Sequence, residues 1–200
     1  MKLARELTPE MISGRLIIIP SMNVPAAKAA TRLSPLDGMN LNRAFPGKPE
    51  GPVTSLVADY LTRVLFPLAD VVIDMHAGGR GLLFYPCSTM HLVADLKQRN
   101  AMIDGALAWN TDFVFVGIEI AGSGLLPVEA ENQGKIVITT ELGGGESIPA
   151  EVHALIQSGL RNVLTHCGVL KGEVRTREHL GKPDTIMVAS LHVHGYLLPQ

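Results

Sequence analysis

Three short runs rich in β-branched residues constrain the fold of this chain: residues 15–20 (RLIIIP), 69–76 (ADVVIDMH) and 135–141 (KIVITTE). Each is far shorter than the ~18 apolar residues of a membrane span, and their continuity suits core strands buried on both faces of a sheet. Further strands are predicted at 82–85 and 113–116. Between them the apolar spacing turns helical: Val53, Leu56, Val57, Tyr60, Leu61, Val64 and Leu65 follow i, i+3, i+4, i+7, i+8. Helices are also predicted at 2–7, about 91–109, 125–133 and 148–167. The last has Ser147 as its expected N-cap and Pro149 in its first turn, where a missing N–H costs nothing. Strands alternating with helices predict an α/β fold of three layers, a mixed, mostly parallel sheet with helices on both faces. That domain is expected over 1–170, with a polar, glycine-punctuated linker at 171–183. Residues 184–200 alternate in the manner of a strand and are expected to open a β-rich unit.

Composition removes several partner classes. Lys plus Arg is 17 against 19 for Asp plus Glu, a net of −2 with no long run of either sign, so neither a nucleic-acid nor an anionic-membrane footprint is present. At 46% hydrophobic and 18% charged the chain has to fold or pack on something. Cys87 and Cys167 are far apart and form no CxxC pair, which excludes a disulfide framework and a zinc ribbon and points to a reducing, cytoplasmic setting. Both thiols read as small buried hydrophobes. The chain opens inside a helical pattern and closes on apolar GYLLPQ, so both ends look cut, and association through exposed edges is expected.

Ligands of open α/β sheets bind outside the carboxyl ends of strands, which selects the polar residues there. Asp74 and His76 end the second run on one strand face: the histidine is a candidate metal ligand with Asp74 orienting its neighbours, or the pair is a turn-capping Asp beside an exposed His. Glu141 ends the third run. A carboxylate buried there needs a partner or a task such as general base, and otherwise it is a solvated strand end. Residues 21–52 hold prolines and glycines without any sustained period, a loop much longer than the ~4–6 residue median. In it Asn42 and Arg43 can clamp a carboxylate, with Arg32 as a weaker second cation; the plainer reading is a loop held by its own Asn and Asp side chains. The stretch Gly78-Gly-Arg-Gly81 matches no phosphate-loop spacing, and His192-Val-His194 reads as alternating positions on an edge strand.

Taken in order, DGMNLNRAFPG, VVIDMHAGG and ITTELGGGE resemble the succinylglutamate desuccinylase/aspartoacylase family, relatives of the zinc carboxypeptidases. The FPG and LGGGE wording is closest to the family's N-acetyl-diaminobutyrate deacetylases. The resemblance implies a zinc hydrolase that cleaves the amide of a small N-acyl amino acid. It implies His76 as zinc ligand, Asn42 and Arg43 on the substrate carboxylate, and Glu141 as general base and acid. Zinc in such an enzyme lowers the pKa of its bound water towards ~7.

The sequence also departs from that pattern. The other two zinc ligands are expected from an H-x-x-E element, and no histidine of this chain has Glu three residues on. A truncated chain, inactive alone, follows as the expectation, with those ligands upstream of Met1. The alternative is a binding module that kept the clamp and lost the metal. The family's second substrate arginine is absent; Glu131 and Lys135 stand near its position in sequence, which favours a neutral acyl group or a cationic substrate.

Overall fold

The computed structural model describes residues 3–118 and 123–189. Five strands make one sheet: β1 (Val71–His76), β2 (Cys87–His91), β3 (Phe113–Gly117), β4 (Ile136–Glu141) and β5 (Ile186–Ala189). Their order is β1-β4-β2-β3-β5. The pairs β1–β4, β2–β3 and β3–β5 are parallel, and β4–β2 is antiparallel. The helices are α1 (Leu3–Glu6), α2 (Val24–Ala29), α3 (Val53–Tyr60), α4 (Leu96–Leu107), α5 (Leu126–Asn132) and α6 (Ala150–His166). None of them is long and apolar enough to cross a membrane.

β4 has neighbours on both edges and helices over both faces, and for that reason its sequence is apolar without alternation: Val137, Ile138 and Thr140 are fully buried. Ile138 packs with Val152, Leu160 and Val163 of α6, and Val137 with Leu126 and Ala130 of α5 and Ala58 of α3. These are the three expected layers.

Several elements differ from expectation. Residues 15–19 form no strand, and Ile17 and Ile19 stay 44% and 41% exposed. A strand is defined by its pairing, and no described residue hydrogen-bonds the backbone of this run. Residues 82–85 likewise make a single bridge, Leu83 to Gly144, instead of a strand. The strand in that region is β2, CSTMH, where polar side chains hide the signal. Ser88 and Met90 are buried because they face α4: Ser88 donates to the Ala106 carbonyl, and Met90 clusters with Met102 and Ala106. α4 therefore starts at Leu96, capped by Asp95, whose Oδ1 accepts the Gln98 N–H at 2.7 Å. Pro149, not Ser147, is the N-cap of α6; Ser147 is held in the preceding glycine loop by a bridge to Gly144. The long loop contains α2 and a 3-10 turn at Leu41–Arg43.

The segment 171–183 is tied down. The buried Arg177 donates to Asp112 Oδ1 at 2.8 Å and to the Asn110 carbonyl at 2.9 Å. Asn162 of α6 donates to the carbonyls of Ala108 and Arg175 and accepts the Arg175 N–H. β5 then joins the sheet beside β3, and the rest of the expected β-rich unit, with His192 and His194, lies outside the described residues.

Gly159 marks the tightest contact between α6 and the core. A Cβ there would sit 2.4 Å from Cε3 of the fully buried Trp109 and 3.0 Å from its carbonyl oxygen. Gly159→Ala should cost about 1–3 kcal/mol by overpacking, read as a lower urea midpoint through the fluorescence of Trp109, the single tryptophan.

Candidate active site

Strand register assembles the site. His76 of β1 pairs with Glu141 of β4, and Glu141 pairs with Cys87 of β2. One residue-pair back, Asp74, Thr139 and Thr89 repeat the row. Side chains directly opposite across paired strands share a face, so all six lie on one face. Ser88 donates to the Ala106 carbonyl of α4, which turns Cys87 and Thr89 to the side away from α4.

Asp74 is buried, and its Oδ2 lies 2.7 Å from His76 Nε2. With an ionised Asp74 as acceptor, the proton of the neutral imidazole sits on Nε2 and the lone pair is on Nδ1. The Asp74 hydrogen bond raises the imidazole pKa above its ordinary value; burial opposes it, the charges of Asp74 and Glu141 add to it, and Arg32 pulls it down. Glu141 is half-buried, and its Oε2 is shut off from solvent with no hydrogen-bond partner among the described residues. Burial pushes this carboxyl up, the charge of His76 opposes the rise, and Asp74 adds to it.

The loops after β1 and β4 lock into one another. The Gly78 N–H donates to the Gly143 carbonyl at 3.0 Å, Gly145 to Gly79 at 2.8 Å, and Phe84 to Gly143 at 3.2 Å. Gly144 has φ +135°, and a Cβ there would meet the Leu82 carbonyl oxygen at 2.2 Å. The two glycine runs are thus explained by close backbone approach just beyond His76 and Glu141.

The loop carrying the candidate clamp is braced by its own side chains, as the plainer reading expects. Asp37 accepts the Thr54 N–H at 2.7 Å and the Thr54 hydroxyl at 2.9 Å, capping α3, whose N-cap Pro52 offers no side-chain acceptor. Asn40 accepts the Asn42 N–H at 3.0 Å. The Asn42 Oδ1 accepts the Leu126 N–H at 2.7 Å, which ties the loop to the start of α5 and leaves the Asn42 amide NH₂ as its donor group. Arg43 is exposed, with its backbone against Gly124. Arg32 is exposed as well, and its charge reaches His76.

Glu131 and Lys135 do not adjoin this site. Because β2 runs antiparallel to β4, His91 lies at the far end of the sheet, and its Nδ1 is 2.8 Å from the buried Glu131 carboxylate. The Glu131 and Lys135 carbonyls accept from Gln98 there. Cys167, in contrast to Cys87, follows α6, away from the row.

A catalytic zinc needs three protein ligands, and among the described residues no three His, Cys, Asp or Glu side chains converge. His76 alone does not make a zinc site.

The mixed, mostly parallel sheet with helices on both faces defines a three-layer α/β domain of the carboxypeptidase-like kind. The catalytic domain described as "Succinylglutamate desuccinylase/Aspartoacylase" matches residues 1–167, and the chain belongs to that family. The N-alpha-acetyl-L-2,4-diaminobutyric acid deacetylase of Halomonas elongata is 42% identical over 187 residues, 92% of this chain and 55% of that protein. The product-bound ectoine utilization protein EutE (DoeB) of Ruegeria pomeroyi superposes with a TM-score of 0.87 at 39% identity, covering 96% of this chain and 56% of that one. A succinylglutamate desuccinylase of Silicibacter sp. TM1040 gives 0.84 at 43% identity, covering 88% and 53%. The chain thus spans about half the length of these relatives.

Asp74→Asn tests the electrostatics. A raised imidazole pKa adds stability that is complete below the ordinary 6.5 and is lost as pH rises through the raised value. In the variant the NMR titration of His76 should move to lower pH, and the urea midpoint should lose this pH-dependent increment.

Proposed function

We propose that this chain carries the carboxylate-binding and proton-transferring part of an N-acyl amino acid deacylase, acting on acetylated diamino acids as its Halomonas relative is named for doing. The observation that carries this reading is Glu141. It is half-buried at the level of His76, its Oε2 lacks a partner among the described residues, and its pKa is raised towards the range a general base needs. Glu141 would take a proton from the attacking water and return it to the leaving amine. Arg43, with the Asn42 amide and Arg32, would hold the substrate carboxylate and so position the amide over the strand ends. His76, through Nδ1, would be the zinc donor of the row, with Glu141 kept for proton transfer. The small substrate and the two free thiols suit a cytoplasmic enzyme.

The lack of converging metal donors among the described residues favours a second reading, a binding module that holds the same carboxylate without turnover. Titration calorimetry with N-acetyl-2,4-diaminobutyrate tests what the two share. Arg43→Ala should weaken binding ~10–100-fold, the range for hydrogen bonds to a charged group, and unchanged affinity would remove the clamp. Acetate release, measured with an upstream segment carrying the H-x-x-E element joined to this chain, separates the readings: a deacylase then shows it and loses it in Glu141→Gln while keeping affinity, and a binding module shows none even so.

A further inference from the structure

The row of side chains does not end at Glu141. Cys87 follows on β2, paired with Glu141, and Phe113 of β3 pairs with Cys87 on its other side. The Tyr85 ring stands edge-on to Phe113, with centroids 5.3 Å apart. Moving across the sheet, the face therefore changes from the ionic pair Asp74–His76 through an unpartnered carboxylate oxygen to a half-buried thiol and two aromatic rings. The cation Arg32 acts on His76, two strands from Cys87. An extended N-acyl amino acid has its carboxylate on one side of the amide and its acyl group on the other. With the amide carbon at Glu141 and the carboxylate towards the cations, the acyl group extends about one strand spacing, ~4.8 Å, the opposite way.

We propose that Cys87 lines the acyl end of the substrate site and limits the size of the acyl group accepted; this rests on the deacylase reading above. The thiol is neutral, since burial and the neighbouring Glu141 charge push its pKa up, and a neutral thiol beside aromatic rings suits a short alkyl group. Sequence inspection had no means of singling it out. A cysteine in YPCSTM reads as core filler until register places it beside Glu141.

Cys167→Ser leaves Cys87 as the only thiol, and its alkylation by iodoacetamide at alkaline pH can be followed by intact mass. N-acetyl-2,4-diaminobutyrate at ten times its calorimetric Kd should slow the reaction ~10-fold. Unchanged alkylation despite calorimetric binding overturns the placement of Cys87 and leaves the clamp standing. A thiol inert without ligand is closed off from the site and overturns it too. Absence of binding removes the deacylase reading and this inference with it. In Cys87→Gly, affinity for N-butanoyl relative to N-acetyl diaminobutyrate should rise about fourfold per added methylene. An equal change for both acyl lengths would mark a structural role only and overturn the proposal.

Discussion

The in-register parallel pairing of β1 with β4 is the constraint on which the rest of the site depends. It places His76 opposite Glu141 and Asp74 opposite Thr139, so one ladder of backbone hydrogen bonds sets an imidazole and a carboxyl side by side. A slip of one residue in either strand would turn one of the two to the far face. The glycine runs beyond both strands hold that register at its open end, because only residues without a Cβ let the Gly78 and Gly144 backbones approach Leu82.

A second constraint brings the long loop to the sheet. The loop sinks Leu41 and Phe45 into the core and is organised further through satisfied backbone donors: Asp37 caps α3, and Asn42 takes the first amide of α5. Both side chains fill positions that a helix N-terminus leaves open. The same bonds that order the loop place the Arg43 backbone beside the segment leading to α5 and leave its side chain exposed, as the proposed ligand-holding role requires. The plainer reading of this loop and the functional one are therefore compatible.

Much of the fold was legible because the strongest periodic and apolar signals belong to elements whose surroundings agree with them. β1, β3, β4, α3, α5 and α6 fall where their patterns predict. The failures share a cause. RLIIIP has a strand's composition without a described partner, and CSTMH has partners without a strand's composition. Propensity is a statement about one segment, whereas a strand is a relation between two. Glu131 shows the same limit of local reading: ten residues of sequence separation from Glu141 become opposite ends of a sheet once β4 runs its length between them.

The sequence by itself determined the layered α/β class and the family, and singled out Asn42, His76 and Glu141 as candidates, because apolar period and the motifs around them are local properties of the chain. Only the tertiary structure decided that Asp74 binds His76 through Nε2, that Glu141 keeps an unpartnered oxygen, that Glu131 belongs elsewhere, and that Cys87 stands next in the row. Those facts depend on strand order and register, which long-range backbone pairing sets and no single segment encodes.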